Sequence, residues 1–336
     1  MTSRILPHLL EPYLPSLPPE TSLTVLTSVI GASTNWLVLR HLHALLKPSS
    51  PAAQHPAGGR KARRRGEGEE EGNGEDKEEG VDVAVVLVSF LRDFPFWKDG
   101  CSRLGLDLEA AARHGRFAYV EGLATPDGFF SPSASGPAVT AAIAEEPRHG
   151  QGQTSRQGGW RQTVAGLTGP DDIRHIIMAS VEQLKSYGVV SNLPSREEKV
   201  GRRVVLVIDG LDFVLAAMYS NPRQDASPDA PWRAMEIKEL VMDLREATYA
   251  AIVTLAADDP LIKEQETTLE KQHAWFALSL AHEADTVFSL RLLDTGAAKD
   301  VSGVVRITNR RVHAQDHEYL YHVGSDGGVR VFERGQ

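Results

Sequence analysis

Near-continuous apolar runs of strand length, separated by helical patterns, are the feature that most constrains the fold of this chain. VDVAVVLVSF (Val81–Phe90) and VVLVID (Val204–Asp209) show almost no alternation of polar and apolar residues. Such runs are typical of strands that helices cover on both faces. Between them, Asp171–Tyr187 repeats apolar residues along one helical face. The pattern therefore predicts a parallel sheet between two layers of helices.

Strand and helix patterns alternate along most of the chain, and three short strands joined by turns close it within residues 301–333. This order predicts an α/β fold with a mostly parallel, mixed sheet. It is the order of RecA-like ATPase cores, although periodicity alone also fits other doubly wound folds. We expect residues 1–336 to form a single domain. Strands are predicted at Ser22–Ile30, Val81–Phe90, Arg116–Leu123, Val204–Asp209, Ala250–Ala257 and Thr286–Leu292, and helices at Thr34–Leu46, Asp93–Arg103, Asp107–Arg113, Asp171–Tyr187, Leu211–Tyr219, Trp232–Ala247 and Thr267–Ala281.

Two segments interrupt this pattern. Lys47–Gly80 contains no Val, Ile, Phe, Tyr, Trp or Met, so we expect a disordered, charged insertion. Its basic run, Arg60–Arg65, is a hypothetical nuclear localisation signal or RNA contact, but a solvated linker is the favoured interpretation. Thr125–Pro170 is rich in Gly, Ser, Pro and Gln, which predicts a long loop with one short helical piece at Ala138–Glu146.

Bulk composition excludes several classes of protein. The apolar fraction is 41%, which is enough for a substantial core. The net charge of −9 argues weakly against a nucleic-acid binder that uses its whole surface. A single cysteine, Cys101, allows no internal disulfide, and no Cys/His cluster has zinc spacing. The prolines and glutamates near the N-terminus predict no signal peptide, and no apolar run is long enough for a membrane span.

The loop after the first strand lacks the residues that handle phosphate in an ATPase. A P-loop, GxxxxGK[ST], uses glycines to wrap the phosphates, a lysine to contact them and a hydroxyl to hold magnesium. At that position the chain keeps Gly31, but the slots for the second glycine, the lysine and the Ser/Thr hold Ser33, Thr34 and Asn35. We therefore expect a degenerate nucleotide site, no catalytic residue, no metal and no cofactor.

An aspartate at the end of a buried strand is the second ATPase-like feature. Asp209 ends VVLVID, where ATPases place a magnesium-binding carboxylate, and Asp212 follows. The favoured interpretation is structural: Asp209 caps the following helix, and Asp212 interacts with the helix dipole in its first turn. Glu121, at the end of RFAYVEG, is a second candidate base, although a surface role is more common for such a residue.

The best local candidate for nucleic-acid contact is an arginine cluster near the C-terminus. Arg306, Arg310 and Arg311 flank a predicted turn between two late strands. Arginines on an exposed turn can reach phosphates, although most such residues are only solvated.

Three segments carry a resemblance to a known family. They are SFLRDFPFWKDGCSRLGLDLEAAARHGRFAYVEGL (Ser89–Leu123), VVLVIDGLDFVLA (Val204–Ala216) and Thr267–Asn309. Together they resemble the sixth subunit of the Elongator complex in its fungal form, and the SFLRD-x-x-FW block is the most specific part. The resemblance extends over most of the chain outside the two insertions.

The resemblance implies a RecA-like fold without a working phosphate loop. It implies a heterohexameric ring with the fourth and fifth Elongator subunits, two copies of each, that binds tRNA and associates with a catalytic subcomplex. That complex modifies C5 of the wobble uridine of tRNA, and the chemistry lies in another subunit. We expect a cytoplasmic protein, with a nuclear location left open. Trp36, Trp97 and Trp275 are candidates for ring interfaces, or else ordinary core residues.

Two alternatives remain at the level of sequence. One is a divergent stand-alone ATPase, for which Asp209 or Glu121 would be essential. The other is a scaffold or adaptor protein in which the RecA-like core serves only as a platform. The missing phosphate lysine argues against the ATPase, because no lysine precedes Lys47.

Overall fold

A single ten-stranded sheet forms the centre of the protein. In this computed structural model the strands lie in the order β10-β9-β8-β7-β1-β6-β5-β2-β3-β4. The structure describes residues 7–47, 82–122, 159–163, 169–187, 202–220, 233–293, 298, 300–310 and 316–333. The strands are β1 (Ser22–Ser28), β2 (Val83–Ser89), β3 (Phe117–Glu121), β4 (Arg161–Thr163), β5 (Arg203–Asp209), β6 (Ala250–Ala256), β7 (Thr286–Arg291), β8 (Gly303–Asn309), β9 (His317–Val323) and β10 (Val329–Phe332).

Helices cover both faces of the parallel part of this sheet, as the apolar runs predict. Every residue of β2 is buried, because helices pack on each side of it. One layer contains α1, α2 and α3 with a 3₁₀ turn at His8–Tyr13, and the other contains α4 to α7. The helices are α1 (Asn35–Leu46), α2 (Phe94–Arg103), α3 (Leu108–Arg113), α4 (Pro170–Tyr187), α5 (Leu211–Ser220), α6 (Arg233–Ala247) and α7 (Thr268–Glu283).

The pairing of the strands confirms the predicted fold class. The strands from β7 to β4 are mutually parallel, whereas β7, β8, β9 and β10 form an antiparallel meander. β1 and β5, which carry the two ATPase-like positions, are separated by β6. The result is a RecA-like core: a mostly parallel, mixed sheet with helices on both faces.

Local signals explain why the helices begin where they do. Asp93 caps α2, and its side chain accepts a hydrogen bond of 3.1 Å from the backbone N–H of Phe96. Asp107 caps α3 in the same way through the N–H of Ala110. Such caps satisfy backbone donors that have no partner within the helix. Both predicted helices are therefore confirmed, and the predicted start of the first, at Asp93, is its cap.

The predicted loop Thr125–Pro170 contains a strand that the sequence did not indicate. Residues 161–163 form β4, which pairs in parallel with β3 at the edge of the sheet. β4 has three residues and no apolar run, so neither alternation nor burial could reveal it. The insertion Lys47–Gly80 beyond its first residue, and the predicted helical piece Ala138–Glu146, lie outside the described residues.

The tryptophans that sequence suggested for ring interfaces lie mainly inside the protein. Trp97 is fully buried, and Trp36 is 7% exposed. Both therefore serve the core of this chain, which is the second of the two interpretations given above. Trp275 is only partly buried, and the Lys238 ammonium lies 5.5 Å from the centre of its ring.

Candidate functional site

The carboxyl ends of the parallel strands bring the ATPase-like positions to one edge of the sheet, here called the carboxyl edge. Ser28 ends β1, Asp209 ends β5, Ser89 ends β2 and Glu121 ends β3. The sheet register places Ser89 opposite both Asp209 and Glu121. In parallel α/β sheets ligands bind at this edge. It is therefore where a nucleotide site would lie.

The β1–α1 loop occupies the phosphate-binding position but does not form an open cradle. Gly31 has φ of +90°, which glycine adopts without strain. Ser33 Oγ accepts a hydrogen bond of 3.2 Å from the N–H of Asn35, and the N–H of Ala32 bonds the carbonyl of Val29 at 2.9 Å. Thr34 precedes α1 with no capping bond from its side chain and is buried. The backbone N–H groups of Ala32 and Asn35 are thus bonded within the loop itself.

An aspartate supplied by another strand takes one further donor of this loop. Asp258 follows β6, and its Oδ1 accepts a hydrogen bond of 2.7 Å from the N–H of Ile30. A carboxylate therefore lies where a phosphate-binding loop would hold an anion. Its negative charge opposes the approach of a phosphate, and no lysine is present in the loop to compensate it.

The carboxylate of Asp209 is enclosed by hydroxyls of the neighbouring strands. Ser89 Oγ donates to Oδ2 at 2.9 Å, and Thr254 Oγ1 donates to Oδ1 at 3.1 Å. The side chain is buried, and burial raises the pKa of Asp209 against the opposing effect of these two hydrogen bonds. The prediction that Asp209 caps α5 is therefore wrong, because its side chain connects β5 to β2 and β6. The backbone N–H of Gly210 adds a hydrogen bond of 2.8 Å to Thr254 Oγ1.

Asp212 lies in the first turn of α5, as predicted, but it also connects that helix to the sheet. Its Oδ2 accepts a hydrogen bond of 3.2 Å from the N–H of Ala256 at the end of β6. Burial raises the pKa of Asp212, and His273 partly opposes this effect. The ring of His273 contacts the carbonyl of Ala256 at 2.9 Å through Nε2. These groups fix the junction of α5, α7 and β6.

Glu121, the second candidate base, is paired with a cation. Its carboxylate forms an ion pair of 2.9 Å with Arg161 of β4. The glutamate side chain is 17% exposed, whereas that of Arg161 is 46% exposed. The carboxylate of this candidate base is therefore already engaged by a cation of the same chain.

Of the three arginines suggested for RNA contact, the structure describes Arg306 and Arg310. Arg306 lies within β8, the strand that precedes the turn, and it pairs with Asp316. Arg310 is exposed at the end of β8, and its backbone N–H bonds the carbonyl of Asp285 at 2.9 Å. Arg311 lies outside the described residues. Arg306 is thus already neutralised, while Arg310 remains accessible.

Sequence reasoning missed three residues that decide the character of this edge: Ser89, Thr254 and Asp258. Ser89 is 120 positions from Asp209 and Thr254 is 45 positions from it, so neither contact is a local one. One sequence signal could have indicated Ser89: it is a polar residue at the end of an apolar run, and a second apolar run of the chain ends in an aspartate. Asp258 lies in a loop and gave no such signal.

Within the described residues, no group of three or more His, Cys, Asp or Glu side chains is arranged to hold a metal ion. The described helices also include none that combines the length and the apolar character needed to cross a bilayer.

Comparisons with known proteins give a likeness of fold only. No protein-family model and no curated protein matches the chain. Among solved structures, a KaiC-like protein from the hyperthermophilic archaeon Pyrococcus horikoshii OT3 is similar over 98% of this chain and 97% of its own, with a TM-score of 0.49 and 13% identity. A likeness this distant transfers no activity, and the assignment of the core rests on the strand order described above.

Proposed function

We propose that this chain is a non-catalytic RecA-like subunit of the Elongator ring. In this role it assembles with subunits four and five, two copies of each, and supports tRNA binding and wobble-uridine C5 modification by the catalytic subcomplex. The protein is cytoplasmic in this proposal, with a nuclear location left open. The chain itself performs no chemistry.

The observation that carries the proposal is the structure of the β1–α1 loop. The N–H groups of Ile30, Ala32 and Asn35 are already bonded, one of them to the carboxylate of Asp258, and the loop has no lysine. A loop of this kind can support the fold without holding a triphosphate. This agrees with a family that retains the RecA-like core without a working phosphate loop.

Exposed apolar side chains at the carboxyl edge support the assembly. Ile30 is 84% exposed, Leu292 is 47% exposed and Leu91 is 41% exposed, and they follow β1, β7 and β2 respectively. RecA-like domains pack side by side, with each nucleotide position at an interface. Apolar groups at that position favour burial against a neighbour over binding of a charged nucleotide.

Native mass spectrometry of the tagged chain, purified from its own cells, tests this proposal. The expected result is a six-membered ring that contains two copies of this chain and two other RecA-like subunits. A monomer, or a complex with unrelated proteins, would refute the ring.

A pair of variants tests the interface in the same experiment. Ile30→Asp places a charge on the carboxyl edge, and we expect the ring to lose this chain, because charges are depleted in interface cores. Leu278→Asp is the matched control, since Leu278 is 50% exposed and lies in the second half of α7, beyond His273, which contacts the end of β6. Equal effects of the two variants would remove the carboxyl edge from the interface.

A stand-alone ATPase is the alternative that the strand order favours, and a scaffold or adaptor is the other. Purified chain is expected to show no ATP hydrolysis above background. Hydrolysis that disappears in Asp209→Asn or Glu121→Gln would establish the ATPase and refute the non-catalytic role. If the chain neither hydrolyses ATP nor enters the ring, the scaffold or adaptor is the interpretation that remains.

A further inference from the structure

A cavity of about 520 Å³ lies between α1, α2 and the turn that joins β9 to β10. Its size falls within the range of small-molecule sites, about 300–1,000 Å³. Trp36, Leu39 and Arg40 line it from α1, and Tyr321 lines it from β9. Gly31, Ser33 and Asn35 of the β1–α1 loop line its other side, so the cavity adjoins that loop, but Asp209 is not part of its wall.

Arg40 is a buried cation in the wall of this cavity. It is 1% exposed, its Nη2 donates one long hydrogen bond of 3.4 Å to the carbonyl of Gly327, and its Nε has no partner. No carboxylate among the described residues forms an ion pair with it, and burial lowers the pKa of Arg40. A buried charge without a counter-ion destabilises a fold. An anion in the cavity would remove this penalty.

The rest of the wall suits a flat apolar body. The rings of Trp36 and Tyr321 lie 5.0 Å apart with their planes inclined by 37°, and Leu39 adds an aliphatic surface. Asp99 and Arg103 of α2 also line the cavity. They are exposed, opposite in charge and one helical turn apart, so their effects on a ligand largely cancel. The charge that remains is that of Arg40.

We propose that this cavity binds a small organic anion with a planar aromatic body. The anionic group faces the guanidinium of Arg40, and the aromatic body packs against Trp36 and Tyr321. This site does not depend on membership of a ring.

Two fluorescent probes that differ in one group test the proposal on the full chain. 8-Anilinonaphthalene-1-sulfonate carries an anionic sulfonate, and N-phenyl-1-naphthylamine has the same aromatic body without it. We expect one sulfonate probe per chain, bound about tenfold or more tightly than the neutral probe, because a charge-assisted hydrogen bond contributes about 1.5–3 kcal/mol. Equal affinities, or no binding of the sulfonate probe, would overturn the proposal.

Variants connect this preference to Arg40. Arg40→Met keeps the bulk of the side chain and removes its charge, so the preference for the sulfonate should fall to about twofold or less. Arg330→Met removes the same charge from an exposed position of β10 and should leave the preference unchanged. If both variants weaken binding of the sulfonate probe equally, the probe responds to positive charge on the protein in general, and the assignment of this site is wrong.

Thermal unfolding without ligand separates binding from a structural role. Because Arg40 lacks a counter-ion, Arg40→Met should melt at the same temperature as the wild type or higher. A large fall in the melting temperature would show that Arg40 also stabilises the fold, and the variant could then not be used to judge binding. The comparison of the two probes on the wild type needs no variant, so it decides the question even if Arg40→Met does not fold.

Discussion

At the scale of single residues, the carboxyl edge retains an ATPase-like aspartate but uses it for structure. Both oxygens of Asp209 accept hydrogen bonds from strand neighbours, Ser89 and Thr254. In this arrangement the carboxylate closes a hydrogen-bond network between strands instead of facing an open phosphate site. A buried network of this kind fixes one arrangement of the sheet when every member is satisfied.

Asp209→Asn is expected to remove a pH dependence of the unfolding free energy. Burial raises the pKa of Asp209 in the folded protein. A carboxyl group of this kind stabilises the fold at low pH, and that contribution is lost as the pH rises above the usual aspartate value and through the raised pKa. Asparagine cannot ionise. The measurement is urea unfolding of both proteins at several pH values. The free energy of unfolding of the wild type should exceed that of Asp209→Asn by the largest amount at acidic pH, and this difference should shrink as the pH rises.

The control for this experiment is the same substitution at Asp171. Its side chain is 90% exposed, so Asp171→Asn removes one negative charge without changing a buried contact. A difference between wild type and Asp209→Asn that stays constant with pH, or a trend equal to that of the control, would contradict a raised pKa for Asp209.

At the scale of elements, sequence patterns predicted nearly all the strands and helices but few of the contacts at the site. Val83–Ser89 and Arg203–Asp209 were found because a strand buried on both faces is a continuous apolar run. Arg161–Thr163 was missed because it is a three-residue edge strand and its pairing with β3 is not visible in its composition. The partners of Asp209 were missed because the strands that carry them meet only in the folded sheet.

The start of α7 offers a test of element stability. Thr267 Oγ1 accepts from the N–H of Glu270, and Glu270 accepts from the N–H of Thr267, which makes a complete capping box. Thr267→Ala should lower the free energy of unfolding by about 1 kcal/mol. Thr268→Ala makes the same chemical change one position later, outside the cap, and should alter stability by less than about 0.5 kcal/mol.

Denaturant unfolding of both variants makes this comparison. Equal losses at the two positions would mean that the cap contributes nothing and that the threonine side chains matter only through general effects. The comparison is sharp because both residues are exposed, so neither substitution creates a cavity.

At the scale of the whole molecule, the carboxyl edge and the C-terminal meander have different chemical characters. The carboxyl edge exposes Ile30, Leu91 and Leu292, which favours contact with another protein. The meander carries Arg306 in an ion pair with Asp316 but leaves Arg310 exposed at the end of β8. A ring subunit that supports tRNA binding needs both kinds of surface, one for its neighbours and one for phosphates.

Arg310→Glu combined with Arg311→Glu is expected to weaken tRNA binding by the assembled ring. If both arginines bind phosphates, the dependence of log affinity on log salt should become shallower by about 0.7–0.9 for each phosphate that is no longer neutralised. Arg306→Gln is the matched control, because Arg306 is already paired with Asp316 and should contribute little. The measurement is a tRNA titration at several salt concentrations, with ring assembly checked for each variant. Unchanged affinity and an unchanged salt slope in the double variant would exclude these arginines from the RNA surface, since their charge is the only property that this prediction uses.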